Sequence, residues 1–237
     1  MITVDLQCLP LPAGSRILDI GCGSGRHVAA AYSLEKACVT GADPNQQDLL
    51  QARSRLQYHD RLGAHGNGCW NLTAADITDL PFADHSFDLV ICSEVLEHIP
   101  DHQRAMSEIV RVLKPERHLV VSVPRRWPES LCWLSGPYCR MPGGHVRIYT
   151  AQRLVRHIEG RGLRHWRTHF AHSLHTPYWW LKCLLGLQRE SLWPVRIYHR
   201  FLVWDIMQHP RLTRLLDRLL NPLLGKSVVL YFYKSLD

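Results

Sequence analysis

Apolar and polar positions along the first 125 residues alternate between two rhythms. Short apolar runs at Arg16–Ile20, Ala37–Ala42, Trp70–Ala75, Phe87–Cys92 and His118–Val123 are each bounded by polar or glycine-rich stretches. Such runs predict strands, most strongly at the continuous apolar run Phe87–Cys92 and weakly at Trp70–Ala75. Between them, Val28–Leu34, Gln46–Leu56 and Met106–Leu113 carry helical spacing, the last stopping at Lys114-Pro115. Strands alternating with helices predict βαβ units and a parallel sheet, hence an α/β, doubly wound, Rossmann-like fold.

The second half follows a different pattern. Thr150–Glu159 predicts a helix, and Arg164–Phe170 and Ser227–Tyr233 predict two more strands, completing a seven-stranded, mostly parallel sheet. Between the last two strands lie aromatic-rich helical stretches, Tyr178–Leu187, Val195–Met207 and Leu212–Leu224, punctuated by Pro177, Pro194, Pro210 and Pro222. A connection of that length is not a simple loop in a compact domain. It predicts an inserted helical cap over 172–225, with 1–171 and 226–237 forming the core. No apolar run reaches the roughly 18 residues a membrane span needs. Met1–Pro12 lacks the pattern of a signal peptide.

Charge divides the chain the same way. Residues 1–124 hold 10 Lys and Arg against 15 Asp and Glu, whereas 125–226 hold 17 against 5, so the excess of positive charge lies wholly in the second half. Seven of the eight tryptophans lie there too. A basic, tryptophan-rich half suits an anionic or interfacial partner, or a solvated basic face over an aromatic core. The cysteines, at 8, 22, 38, 69, 92, 132, 139 and 183, show no CxxC pair. Their scatter predicts small buried hydrophobes in a reducing, cytoplasmic setting, not zinc or disulfide sites.

The chemistry concentrates at Leu18-Asp19-Ile20-Gly21-Cys22-Gly23-Ser24-Gly25, a strand and an acid followed by a glycine-rich turn. Glycines let the backbone turn sharply and approach a ligand closely. The spacing is GxGxG, with Arg26 where the third glycine of a dinucleotide fingerprint would fall. Asp19 disfavours a nearby pyrophosphate and suits a ligand carrying an ammonium group, which argues against a nicotinamide dehydrogenase. Asp43, at the end of the second strand, is placed to accept from ribose hydroxyls.

Together with Ala75-Asp76-Ile77 and the run Phe87–Ile99, these motifs resemble the class I S-adenosylmethionine-dependent methyltransferases, most nearly the subgroup with quinone-pathway enzymes. The resemblance covers about residues 14–125. Gly144-His145-Val146-Arg147-Ile148-Tyr149-Thr150 resembles a GHxRxYT segment of the same enzymes. It implies S-adenosyl-L-methionine as cofactor and S-adenosyl-L-homocysteine as product. Asp19, Gly21, Cys22, Gly23 and Gly25 would then face the methionine moiety, and Asp43 with Pro44 the ribose. Asp76 and Ile77 would meet the adenine, and Cys92 and Ser93 would line the methionyl end. Methyl transfer is an in-line displacement for which the protein aligns donor and acceptor and excludes water.

A hydroxyl acceptor benefits from a base near neutral pKa. His98, His145 and Tyr149 are the candidates, each of which could instead be a surface or packing residue. A helix starting near Ser93 would put Glu94, Glu97 and His98 on one face, a set able to hold a divalent ion with His145 as a fourth ligand. Against that alternative, acids favour helix N-termini without any metal. The cap, with Trp179-Trp180, Trp193, Trp204 and Leu212–Leu224, supplies more apolar surface than a lid over a sugar needs, unless it serves only to pack on the sheet. It points to a small lipophilic or aromatic acceptor and to peripheral membrane contact through Arg196, Arg200, Arg211, Arg214 and Arg218. A nucleic-acid methyltransferase is the runner-up, without a stacking motif to support it. A non-catalytic cofactor- or lipid-binding protein is the third reading. The acceptor, the methylated atom and the oligomeric state are not written in the sequence.

Overall fold

The computed structural model describes residues 2–133, 144–186, 192–208 and 210–236. Its centre is a seven-stranded sheet of β1 (Arg16–Ile20), β2 (Cys38–Ala42), β3 (Cys69–Thr73), β4 (Phe87–Ser93), β5 (Leu113–Pro124), β6 (Leu163–Ala171) and β7 (Ser227–Lys234). The order is β3-β2-β1-β4-β5-β7-β6. The first five strands pair in parallel, and β7 runs antiparallel between β5 and β6. This is the Rossmann-like fold that the apolar runs predict. Strand order reverses between β1 and β4, and ligands of such sheets bind in the crevice beyond the carboxyl ends at that point.

Eight helices among the described residues cover the sheet: α1 (Arg26–Tyr32), α2 (Gln46–Leu62), α3 (His102–Val112), α4 (Arg126–Trp133), α5 (Ala151–Glu159), α6 (Thr176–Leu185), α7 (Trp193–Gln208) and α8 (Arg211–Leu224). Two apolar cores form because successive strand residues point to opposite faces. One holds Leu18, Val90, Val121 and Leu230 with α3 and α5; the other holds Ile17, Leu89, Ile91 and Tyr231 with α1. Helices α6–α8 occupy the insertion between β6 and β7. Asp88, within the β4 motif, accepts from Lys114 and Arg117 and from the Arg16 amide, so it staples strand beginnings together.

Three expectations change. No helix begins at Ser93: Glu94 has φ of 58°, and residues 96–98 form a turn. A left-handed residue cannot start a right-handed helix. Cys38 and Cys69 are joined in a disulfide, not separately buried, because the parallel register sets them side by side with Cα atoms 4.6 Å apart. Their separation of 31 residues hides that pairing in the sequence. Helix α4 is not among the elements expected from the sequence, and it contains Pro128. Pro128 falls in the first turn, where its missing N–H is not needed. Cys139 lies outside the described residues.

Candidate active site

The glycine loop joins β1 to α1. Gly21, Gly23 and Gly25 have φ of 65°, 49° and 77°, a region that side chains rarely adopt. A Cβ on Gly21 would run into Val95 and one on Gly25 into Ala52, whereas one on Gly23 would meet nothing within 4 Å. Gly21 and Gly25 are therefore glycines for internal packing, and Gly23 is the point where the loop backbone faces open space. The Gly21 and Cys22 amides bond the Ala42 carbonyl, which fixes the loop to the end of β2.

Asp43 completes that attachment. Its Oδ2 accepts from the Gly23 amide at 2.8 Å and its Oδ1 from the Asn45 amide at 2.9 Å. A carboxylate has about four acceptor positions, so two remain for a diol. Asp19 is 1% exposed, and its Oδ2 has no hydrogen-bond partner. Burial pushes its pKa up from 3.8 to about 8, against the opposing influence of a Val28 backbone bond and the Arg26 charge. A buried acid with an unsatisfied oxygen beside the glycine loop suits a ligand ammonium.

The other residues singled out for the cofactor are placed less uniformly. Asp76 is exposed and folds back, Oδ1 accepting from the Thr78 amide and hydroxyl at 2.8 Å each. These bonds hold its pKa below the usual value. Ile77 is buried in the core, and Pro44 is exposed beside Asp43. Cys22 is buried against the loop, Cys92 is wholly enclosed, and burial raises both thiols. The Ser93 and Ser122 hydroxyls bond each other at 2.8 Å.

Beyond β4, the base candidates converge. His98 and His145 stack edge to face with ring centroids 4.8 Å apart. The Nδ1 of His145 lies 2.5 Å from Glu129 Oε1, and Glu129 is buried. A carboxylate within hydrogen-bond distance of Nδ1 fixes the orientation of the imidazole ring. The segment bearing His145 is stitched to the turn bearing His98. The Val146 amide bonds the Glu97 carbonyl, and the Arg147 guanidinium donates to the carbonyls of Leu96, Ile99 and Pro100.

Glu97 lies under this array, 1% exposed, with neither carboxyl oxygen hydrogen-bonded. Burial first, and the Glu94 charge second, push its pKa well above the ordinary range. Ligand atoms of Glu97, His98 and His145 all lie within 4.8 Å of one another. The anticipated metal set of Glu94, Glu97, His98 and His145 thus loses Glu94, which accepts from Ser122 Oγ at 3.2 Å instead. Tyr149 packs in the core, where burial raises its hydroxyl, opposite to what a base requires. Glu129 and Arg147 were not singled out beforehand. Arg147 had a signal, as the arginine of GHxRxYT; Glu129 had none, because the helix that carries it was not foreseen.

Helix α6 packs against α4 here. Trp180 Nε1 donates to the Pro128 carbonyl at 3.2 Å and packs on Trp127. Pro128, Glu129, Thr176, Trp179, Trp180 and Lys226 surround a narrow space. A neighbouring groove of about 460 Å³ runs between Arg126, Trp127, Tyr149 and Phe170. A roomier concavity of about 830 Å³, beside His118 and Trp166, lies toward the opposite ends of the strands and touches none of these groups.

Comparison with known proteins agrees with this geometry. A family model described as a methyltransferase domain matches residues 18–121. The chain is 38% identical over 109 residues to an O-methyltransferase of Penicillium expansum, covering 46% of this chain and 38% of that protein. It is 35% identical over 124 residues to a ubiquinone biosynthesis O-methyltransferase of Alkalilimnicola ehrlichii, covering 52% and 47%. The matches thus span less than half the length of these curated relatives. The crystal structure of a SAM-dependent methyltransferase from Methanosarcina mazei superposes with a TM-score of 0.60 at 18% identity, covering 96% of this chain and 95% of that one, a likeness of fold. By its glycine loop, its spaced acids and its sheet, the chain is similar to S-adenosylmethionine-dependent methyltransferases, with a methyltransferase-domain match over residues 18–121.

Proposed function

We propose that the protein transfers a methyl group from S-adenosyl-L-methionine to a hydroxyl oxygen of a small lipophilic or aromatic acceptor. The observation that carries this reading is the Glu129–His145–His98 array at the mouth of β4, adjacent to a glycine loop with an unsatisfied buried acid. The residues present fit the cofactor. Gly23 leaves room for close approach, Asp43 would hold the ribose, and Asp19 would meet the ammonium. When bound, the cofactor supplies a methyl group already activated on a sulfonium.

The chain's own residues then position the acceptor, exclude water and take up one proton. With the cofactor bound as methyl donor, an imidazole would take up the proton that the acceptor hydroxyl gives up on methylation. His145 is the better-placed base because Glu129 holds its Nδ1 and fixes the ring. Tryptophans 179 and 180 beside Glu129 favour a flat or apolar acceptor. Incubation with methyl-labelled cofactor and pooled phenolic, quinone and lipid extracts, followed by product mass, tests the proposal. Label appearing on RNA alone would refute the acceptor class, and no label on any pool would favour a non-catalytic binding protein.

One observation supports a second reading. Both oxygens of the enclosed Glu97 lack partners next to two imidazoles. A carboxylate with two histidines suits a first-row divalent ion, which would displace the carboxyl proton. Elemental analysis of purified protein, with calorimetric titration of zinc into wild type and Glu97→Gln, decides it. Equal zinc affinity in both proteins would refute it.

A further inference from the structure

We infer that helices α7 and α8 form a docking surface for an anionic lipid bilayer. The inference goes beyond methyl transfer and uses no residue of the glycine loop or the histidine array. On α8, Leu212, Leu215, Leu216, Leu219 and Leu223 fall within an arc of about 100° at helical spacing, yet each is 41–67% exposed. The opposite side of the helix faces the protein through polar groups. Thr213 is buried, and Asp217 Oδ1 accepts from Ser173 Oγ at 2.7 Å and from the Leu174 amide at 3.2 Å. An amphipathic helix ordinarily turns its apolar stripe to the core; this one turns it outward. Helix α7 repeats the feature. Trp193, Ile197, Trp204 and Met207 lie along one side and are 49–71% exposed.

Charge selects the partner. Among the described residues of α6–α8, the two acids are Asp205, which is buried and paired with Arg214, and the inward-facing Asp217. Arg196, Arg200, Arg211 and Arg218 are exposed, and Arg211 and Arg218 flank the leucine arc on one side. A second copy of the chain would bring the same positive charge to the contact, so a self-complementary interface is disfavoured. A bilayer with anionic headgroups supplies the complement. Leucine and tryptophan enter the boundary between headgroups and acyl chains while guanidiniums pair with phosphates. The described helices are not long and apolar enough to cross a membrane, so the surface would lie on the bilayer.

Flotation of the full chain with vesicles tests this, using phosphatidylcholine alone and a two-to-one mixture of phosphatidylcholine and phosphatidylglycerol. The protein should float with the mixed vesicles and not with the neutral ones. Leu215→Glu/Leu219→Glu should abolish flotation. The milder Arg211→Gln/Arg218→Gln should weaken it about fivefold per charge and flatten its salt dependence. Calorimetry with S-adenosyl-L-homocysteine, performed on the same samples, confirms that each variant is folded and keeps this outcome separate from that of the proposed reaction. Failure to float with anionic vesicles, flotation indifferent to the leucine substitutions, or a concentration-dependent dimer abolished by them would each overturn the inference.

Discussion

Replacing Asp19 with Asn should stabilise the free protein and weaken its hold on the cofactor, two effects with one cause. Burial raises the Asp19 pKa from 3.8 to about 8. The folded state therefore binds a proton between those limits that the unfolded chain releases. Stability falls as pH rises wherever the folded state binds more protons, so the penalty is absent below pH 3.8, grows through neutrality and levels off above about 8. At pH 7 the gap is about three pH units, on the order of 4 kcal/mol at 1.36 kcal/mol per unit. Asparagine cannot ionise and carries no such penalty, while leaving a comparable polar group at the same place. Urea denaturation of ligand-free protein at acid, neutral and mildly alkaline pH should show the variant gaining nothing near pH 4 and a few kcal/mol near pH 8. Calorimetry should show S-adenosyl-L-homocysteine binding weakened roughly 10- to 100-fold, the loss of one charged hydrogen bond. Stability curves that run parallel in pH would refute the reasoning, because they would show that the buried acid does not titrate abnormally.

Other substitutions probe the remaining contacts. Asp43→Ala should weaken nucleoside binding by roughly two orders of magnitude by calorimetry, since it removes the acceptor for the diol and releases the Gly23 and Asn45 amides. His145→Ala should lower kcat by about 10²- to 10⁴-fold with cofactor affinity unchanged, measured by single-turnover methyl transfer. Glu129→Gln should lower kcat in the same direction but less, because the ring remains held while the imidazolium loses its counter-charge. Arg147→Lys should reduce kcat while sparing cofactor affinity, since one ammonium cannot reach the three carbonyls that hold the turn at 96–100. Hydrogen exchange at those amides should rise in parallel.

The sheet was readable in the sequence because its central strands, β4 and the second half of β5, are apolar runs between polar punctuation. Arg16–Ile20 matches in both bounds, and the other strands differ at their ends. The glycine loop was readable because its conformation restricts residue type. What could not be read depended on tertiary contacts. Glu94 and Glu97 looked like one helical face until the positive φ of Glu94 separated them. His145 and Glu129 are 16 residues apart and meet only in the folded chain, Glu129 on α4 and His145 in the segment before α5. Cys38 and Cys69 pair through register between strands, which no local pattern encodes. Histidine content was informative as a pool but not by position. His98 and His145 form the array, whereas His27 and His172 hold the N-terminal segment at Thr3, and burial lowers the pKa of both.

Asp19 and Glu97 belong to one physical argument. Both are enclosed acids, both lack partners for at least one oxygen, and burial raises the pKa of both. A fold selected for stability alone would place apolar residues or paired groups there. They sit on opposite sides of the β1–β4 switch point, Asp19 on β1 beside the glycine loop and Glu97 in the turn beyond β4. Each acid is a place where an arriving positive charge would be stabilised. An ammonium arriving at Asp19 would restore its ordinary ionisation and offset part of that burial penalty. At Glu97, either an imidazolium formed by proton uptake from the acceptor or a divalent ion would do the same. The first case predicts that methyl transfer survives strong chelation with unchanged kcat, whereas the second predicts its loss and recovery on adding zinc. Activity under chelation thus assigns Glu97 its partner without altering a single residue.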